Sequence, residues 1–229
     1  MPALLFVYAE PGSVPDEEFN DWLDNEHVPL RVAVPGFQSW SRWAAVDGER
    51  PTYAGVYDLT SPDVLTSTPY TDLAQTRTER EEANLARIGL LDRRTYELLE
   101  PVYPPKNGDE YDPLKPGPYA SIVEVDVKPE GEEEFNRWYD EEHIPMVTKV
   151  PGWLRSRRFV LLQCGAIGAG AADAKPLKYL AIHEWEIPPQ YESAEMKAAM
   201  ATEWSKKVMG NILSFRRRRL RLLRTWSRA

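Results

Sequence analysis

Cysteine is almost absent from this chain of 229 residues: Cys164 stands alone, so no disulfide can form within it. A lone thiol suits a reducing compartment. Histidine is nearly as scarce, with only His27, His143 and His183. No two lie close in sequence, and neither a His-Glu-x-x-His run nor a cysteine pair occurs, so the usual metal-binding patterns are missing. Nucleotide loops are missing too. The one glycine-rich run, residues 165–170, follows an expected antiparallel strand and lacks the dinucleotide fingerprint. Long apolar runs are also lacking. Residues 3–9 are too few to cross a bilayer and have no basic leader, so a cytoplasmic protein without a membrane contact is expected.

Charge narrows the choice further. The net charge of −8 disfavours nucleic acid as a partner. Residues 211–229 run against this balance, with seven arginines and no acid. In so acidic a chain, these cations are expected to meet carboxylates of the protein itself or of a partner.

What the sequence does contain is a repeat. Residues 17–43 align with 133–159 at an offset of 116, with 13 of 27 positions identical. That period is far beyond solenoid lengths and marks a duplicated module. Tyr53-Ala-Gly-Val-Tyr57 aligns with Tyr179-Leu-Ala-Ile-His183, the offset having grown by ten residues. The gain falls in 164–176, which reads as a flexible loop beside a pocket. Module one is assigned to 1–102, a proline-rich linker to 103–118 and module two to 119–229.

Each module reads β-α-β-β-α-β. Phe19, Trp22 and Leu23, like Phe135, Trp138 and Tyr139, give a helical stripe. Pro29 and Pro145 are expected to stop these first helices, which places His27 and His143 at helix C-termini. Pro35-Gly36 and Pro151-Gly152 read as turns. The second helices are expected as continuous over 70–88 and 191–209. Such a module leaves one sheet face bare, and two can shield each other. The expected fold class is therefore α+β, two ferredoxin-like modules packed sheet to sheet as a barrel within one chain.

The repeated signature WLDNEHVPL…VPGF and WYDEEHIPM…VPGW resembles the EthD-like branch of the dimeric α+β barrel superfamily. The resemblance implies a cofactor-independent enzyme acting by proton transfer on an aromatic or polyketide-like small molecule. A lyase, either decarboxylase or cyclase, is the leading expectation. Non-catalytic binding of a hydrophobic ligand, isomerisation and cofactor-free monooxygenation stay open. More distant relatives bind haem. A monomer suffices for such a pocket, and a homodimer is compatible with it.

Candidate catalytic residues are His183, His143, His27, Tyr57 and Glu124. Histidine moves protons near neutral pH, although a helix C-terminus also favours it as a cap. Strand alternation groups Tyr53 with Tyr57 and Tyr179 with His183. These are expected to face the enclosure between the sheets, with Val56 and Ile182 under the helices. Glu124, aligned with Tyr8, is expected in the lumen as an acid or base, or else ion-paired with a last-strand arginine. Tyr53, Tyr179, Tyr8, Arg42 and Arg158 are the candidate substrate-binding residues. Arginine grips a carboxylate or phenolate bidentately, and on a strand edge it is more often simply solvated.

Overall fold

The computed structural model describes residues 1–103, 112 and 114–227. Module one runs β1 (Ala3–Glu10), α1 (Asp16–Trp22), α2 (Val28–Val32), β2 (Phe37–Ala45), β3 (Tyr53–Leu59), α3 (Thr68–Thr71), α4 (Glu79–Arg87) and β4 (Leu90–Tyr103). Module two runs β5 (Tyr119–Val127), α5 (Glu132–Trp138), α6 (Ile144–Val147), β6 (Trp153–Ile167), β7 (Tyr179–Trp185), α7 (Ala194–Ala201), α8 (Glu203–Met209) and β8 (Ile212–Ser227). The expected linker lies mostly outside the described residues, and β4 extends to Tyr103.

The strands close into one barrel in the order β1-β3-β2-β8-β5-β7-β6-β4, with every pair antiparallel. Each module contributes a ferredoxin-like sheet. The sheets join edge to edge, β2 to β8 and β4 to β6. Strand edges that either module alone would leave open are thereby paired. Leu4, Phe6, Trp43, Ile122, Phe159 and Leu220 belong to one buried cluster drawn from both modules. An eight-stranded barrel is just wide enough for side chains to fill it. Its interior is a core, and each large apolar side chain there contributes about 1.5–3 kcal/mol.

Two expectations about orientation are reversed. Val56 and Ile182 belong to the barrel interior. Tyr53 and Tyr57 pack instead with Phe19 and Trp22 under the helices, and Tyr179 packs with Phe135 and Trp138. Alternation shows which residues share a face. Here both faces of each strand are covered, so polarity does not show which one meets the helices.

The helices also depart from expectation. Neither Pro29 nor Pro145 ends its helix. In each module a π turn, Leu23–His27 or Tyr139–His143, joins two short α segments. Val28 N–H bonds Leu23 C=O, and Pro29 then sits in the first turn of α2, where a missing N–H costs little. His27 and His143 are therefore inside the helices and cap nothing. The second helices are broken where Thr78 and Thr202 cap α4 and α8 through Glu81 N–H and Ser205 N–H.

The two Pro-Gly turns are present as expected, with Gly36 at φ 98° and Gly152 at φ 81°. A Cβ on Gly152 would collide with Ile187 Cγ1. Gly152→Ala is expected to destabilise the chain by about 1–3 kcal/mol, read as a lower urea midpoint with unchanged slope.

Candidate active site

Between the module-one sheet and its helices lies a cavity of about 620 Å³. Its floor is the outer face of β1, β2, β3 and β4, with Leu5, Trp40, Tyr57 and Thr95 among its lining residues. The π turn supplies Leu23 and His27, and the 3-10 turn Asp72–Ala74 that follows α3 supplies Leu73 and Ala74. The far wall belongs to module two. Residues 163–167 of β6 pair with β4 and line the cavity, so this part of the insertion is a strand and not a loop. Tyr57 stacks on Trp40 at 4.5 Å, and Trp40 stacks on Trp226 at 4.8 Å. A flat aromatic surface therefore backs the space.

His27 is the titratable group that the fold has prepared. Its Nδ1 lies 3.0 Å from Glu81 Oε1, and both residues are buried. Arg31 reaches the same carboxylate oxygen at 3.1 Å. Burial, with Arg31 adding to it, pushes His27 down to about 4, against the pull of Glu81. Burial would raise Glu81, but the bonds to His27 and Arg31 outweigh it and hold that carboxyl below its ordinary range. At neutral pH the ring is thus neutral beside a carboxylate. Nδ1–H donates to Glu81, which leaves the Nε2 lone pair on a ring that lines the cavity. A proton taken up at Nε2 would be stabilised by the Glu81 charge.

Module two serves as an internal control because its counterpart cavity is filled, with about 10 Å³ remaining. Tyr139 stands where module one has Leu23 and takes up the room. One network is common to both modules. Arg42 binds Asp24 and Asn20, with Asn20 to Tyr53 Oη at 3.1 Å; Arg158 binds Asp140 and Asn136, with Asn136 to Tyr179 Oη at 3.3 Å. A network kept where there is no cavity is a brace between helix and sheet.

What differs is the histidine environment. Ser205 replaces Glu81 and bonds Trp138 Nε1 at 3.0 Å. Without an acid, His143 lies flat on Trp138 at 4.3 Å, its Nδ1 is buried without a partner among the described residues, and burial pushes it down to about 3. His183 Nδ1 is 2.8 Å from Ser156 Oγ, and burial pushes this ring down to about 4.

The sequence-derived candidates thus separate into three places. His27, Tyr57, Tyr53 and Arg42 surround the cavity. His143, His183, Tyr179 and Arg158 belong to the filled module. Tyr8 and Glu124 lie in the barrel interior, where Glu124 is fully buried between Arg94 and Arg216. Arg42 and Arg158 are buried and paired, not solvated edges. Glu81 escaped the sequence reading. Its one signal is Thr78-Glu79-Arg80-Glu81, the Thr-x-x-Glu spacing of a capping box. The threonine does cap, but the glutamate turns to His27.

No family model matches the chain, and no curated protein matches it. Solved structures do. An anthrone oxidase-like protein superposes with a TM-score of 0.65 at 14% identity, over 100% of this chain and 93% of the other. A proposed chlorite dismutase gives 0.59 at 15% identity, covering 98% and 96%. A proposed monooxygenase from Lactobacillus acidophilus NCFM gives 0.58 at 10%, covering 100% and 97%. These structures share the fold of this chain, a closed eight-stranded antiparallel barrel built from two ferredoxin-like modules. Among the described residues no helix is long and apolar enough to cross a membrane, and no cluster of three or more metal-ligating side chains occurs.

Proposed function

We propose that the module-one cavity binds a flat, hydroxylated aromatic molecule of polyketide type and that His27, oriented by Glu81, removes a proton from it. One observation carries this reading: a neutral imidazole with Nδ1 fixed by a buried carboxylate at the wall of a cavity large enough for a tricyclic ligand. The stack of Tyr57 on Trp40 receives the ring system. Arg93 adds positive charge to the wall of the same cavity. The resulting enolate or phenolate can be reprotonated with loss of CO₂, close a ring, or react with O₂. The names borne by proteins of this fold, an oxidase-like protein and a proposed monooxygenase, lend weight to oxygenation over lyase chemistry.

The test uses anthrone, whose methylene protons are acidic, in D₂O. Wild-type protein is expected to accelerate methylene exchange followed by NMR. His27→Gln should lower that acceleration at least about 100-fold while anthrone still quenches tryptophan fluorescence. His143→Gln should leave it within about twofold. Exchange unchanged in His27→Gln would remove the proton-transfer role. So would a haem absorption band on hemin titration that depends on His27.

A further inference from the structure

We infer that the ligand of this cavity is an anion, an aromatic carboxylate whose acid group is held by Arg93; the inference rests on the cavity proposed above as the binding site. The lining residues include Arg31, Arg42, Arg77 and Arg93 and not one aspartate or glutamate, in a chain of net charge −8. Chance placement would favour acid over base on any wall of such a protein.

Two of the four are already neutralised, Arg31 by Glu81 and Arg42 by Asp24. The other two are not. Among the described residues, Arg93 meets only a hydroxyl, Tyr70 Oη at 2.5 Å, and Arg77 stands exposed at the cavity wall without an anionic partner.

A half-buried guanidinium held only by a neutral phenol loses hydration with no opposite charge to answer it. A carboxylate supplies what is missing, since its two oxygens match the fork of Arg93. Module two shows the alternative. There the aligned Arg217 lies over the face of Tyr191, 3.8 Å from the ring centroid, beside a filled site. In module one the guanidinium carbon is 5.7 Å from the centroid of Tyr70, and the group is turned to the hydroxyl. Arg93 also lies close enough to His27 and Tyr57 to influence the charge state of both. A ligand anchored there by its acid group would extend across the Tyr57–Trp40 stack towards the imidazole.

Two probes of nearly equal shape test the claim, 2-naphthoate and the neutral naphthalene-2-carboxamide, titrated at pH 7.5 and followed by tryptophan fluorescence. Naphthoate is expected to bind at least about tenfold more tightly, and its affinity to fall in 0.5 M salt while that of the amide does not. Arg93→Met should bring the two probes within about twofold, leaving the amide unchanged. Arg77→Met should weaken naphthoate by less. Equal affinities in the wild type, or a preference that survives Arg93→Met, would overturn the inference, as would saturable binding of neither probe. The readout needs no turnover. If His27→Gln abolished no chemistry yet naphthoate selectivity followed Arg93, proton transfer would fail and the anion site would stand.

Discussion

Lowering the pH from 8 to 5 is expected to reduce the melting temperature by about 12–24 °C, well before the carboxylates titrate. The cause is the three histidines. All are buried, and burial depresses His27 to about 4, His143 to about 3 and His183 to about 4. In the unfolded chain each titrates near 6.5. Between pH 6.5 and about 4 the unfolded state therefore binds protons that the folded state refuses, and stability falls as pH falls. At pH 5 each ring contributes a loss of about 2 kcal/mol, so the three together remove about 6 kcal/mol of the 5–15 typical of a folded domain. Calorimetry from pH 8 to pH 5 checks the slope. His183→Asn should make it shallower by about a third. A melting temperature that is flat over this range would show that the imidazoles are solvated, or already charged, in the native state.

The second large effect concerns the barrel interior. Arg94 holds Asp92 through Nε at 3.0 Å and Nη2 at 2.6 Å, and it also meets Glu124; all three residues are buried. Arg94→Met would leave two buried carboxylates facing each other, with only the part-exposed Arg216 to answer Glu124 at 3.1 Å. Removing one partner of a buried pair costs about 3–5 kcal/mol. Arg94→Met is therefore expected to lower the urea midpoint markedly. A variant with Arg94→Leu, Asp92→Asn and Glu124→Leu together should recover most of the loss, because no unpaired charge remains. If the single and triple variants were equally unstable, packing volume rather than charge would be what this cluster supplies. Neither variant should change naphthoate binding, since these residues do not line the cavity.

The repeat, the order of elements within each module and the Pro-Gly turns could be read directly because each leaves a local mark: identical residues, alternation, a glycine where φ is positive. Tyr53, Tyr57, His27 and Arg42 were legible as site candidates for the same reason. Orientation was not, since a strand covered on both faces carries no polar side to mark the outside. Glu81 was not legible either. It is 54 residues from His27, and its only local signature is that of a helix cap. The open and filled modules differ by exchanges of bulk, among them Leu23 against Tyr139, Ala9 against Val125 and Gly55 against Ala181, whose meaning depends on which face meets the helices. The arginine-rich segment was read correctly in part: Arg216 meets Glu124, Arg218 meets Asp47 at 3.0 Å and Arg224 lies 3.6 Å from Asp24.

The far side of the cavity comes from β6, a strand of the module whose own space is filled. The two copies are therefore no longer free to diverge independently. A change in residues 163–167 alters what the first copy can admit, although the gene segment that encodes it belongs to the second. Selectivity could thus be retuned by exchanging this one ribbon without touching the imidazole or its acid. The copy whose own space is filled supplies a wall of its sibling's cavity.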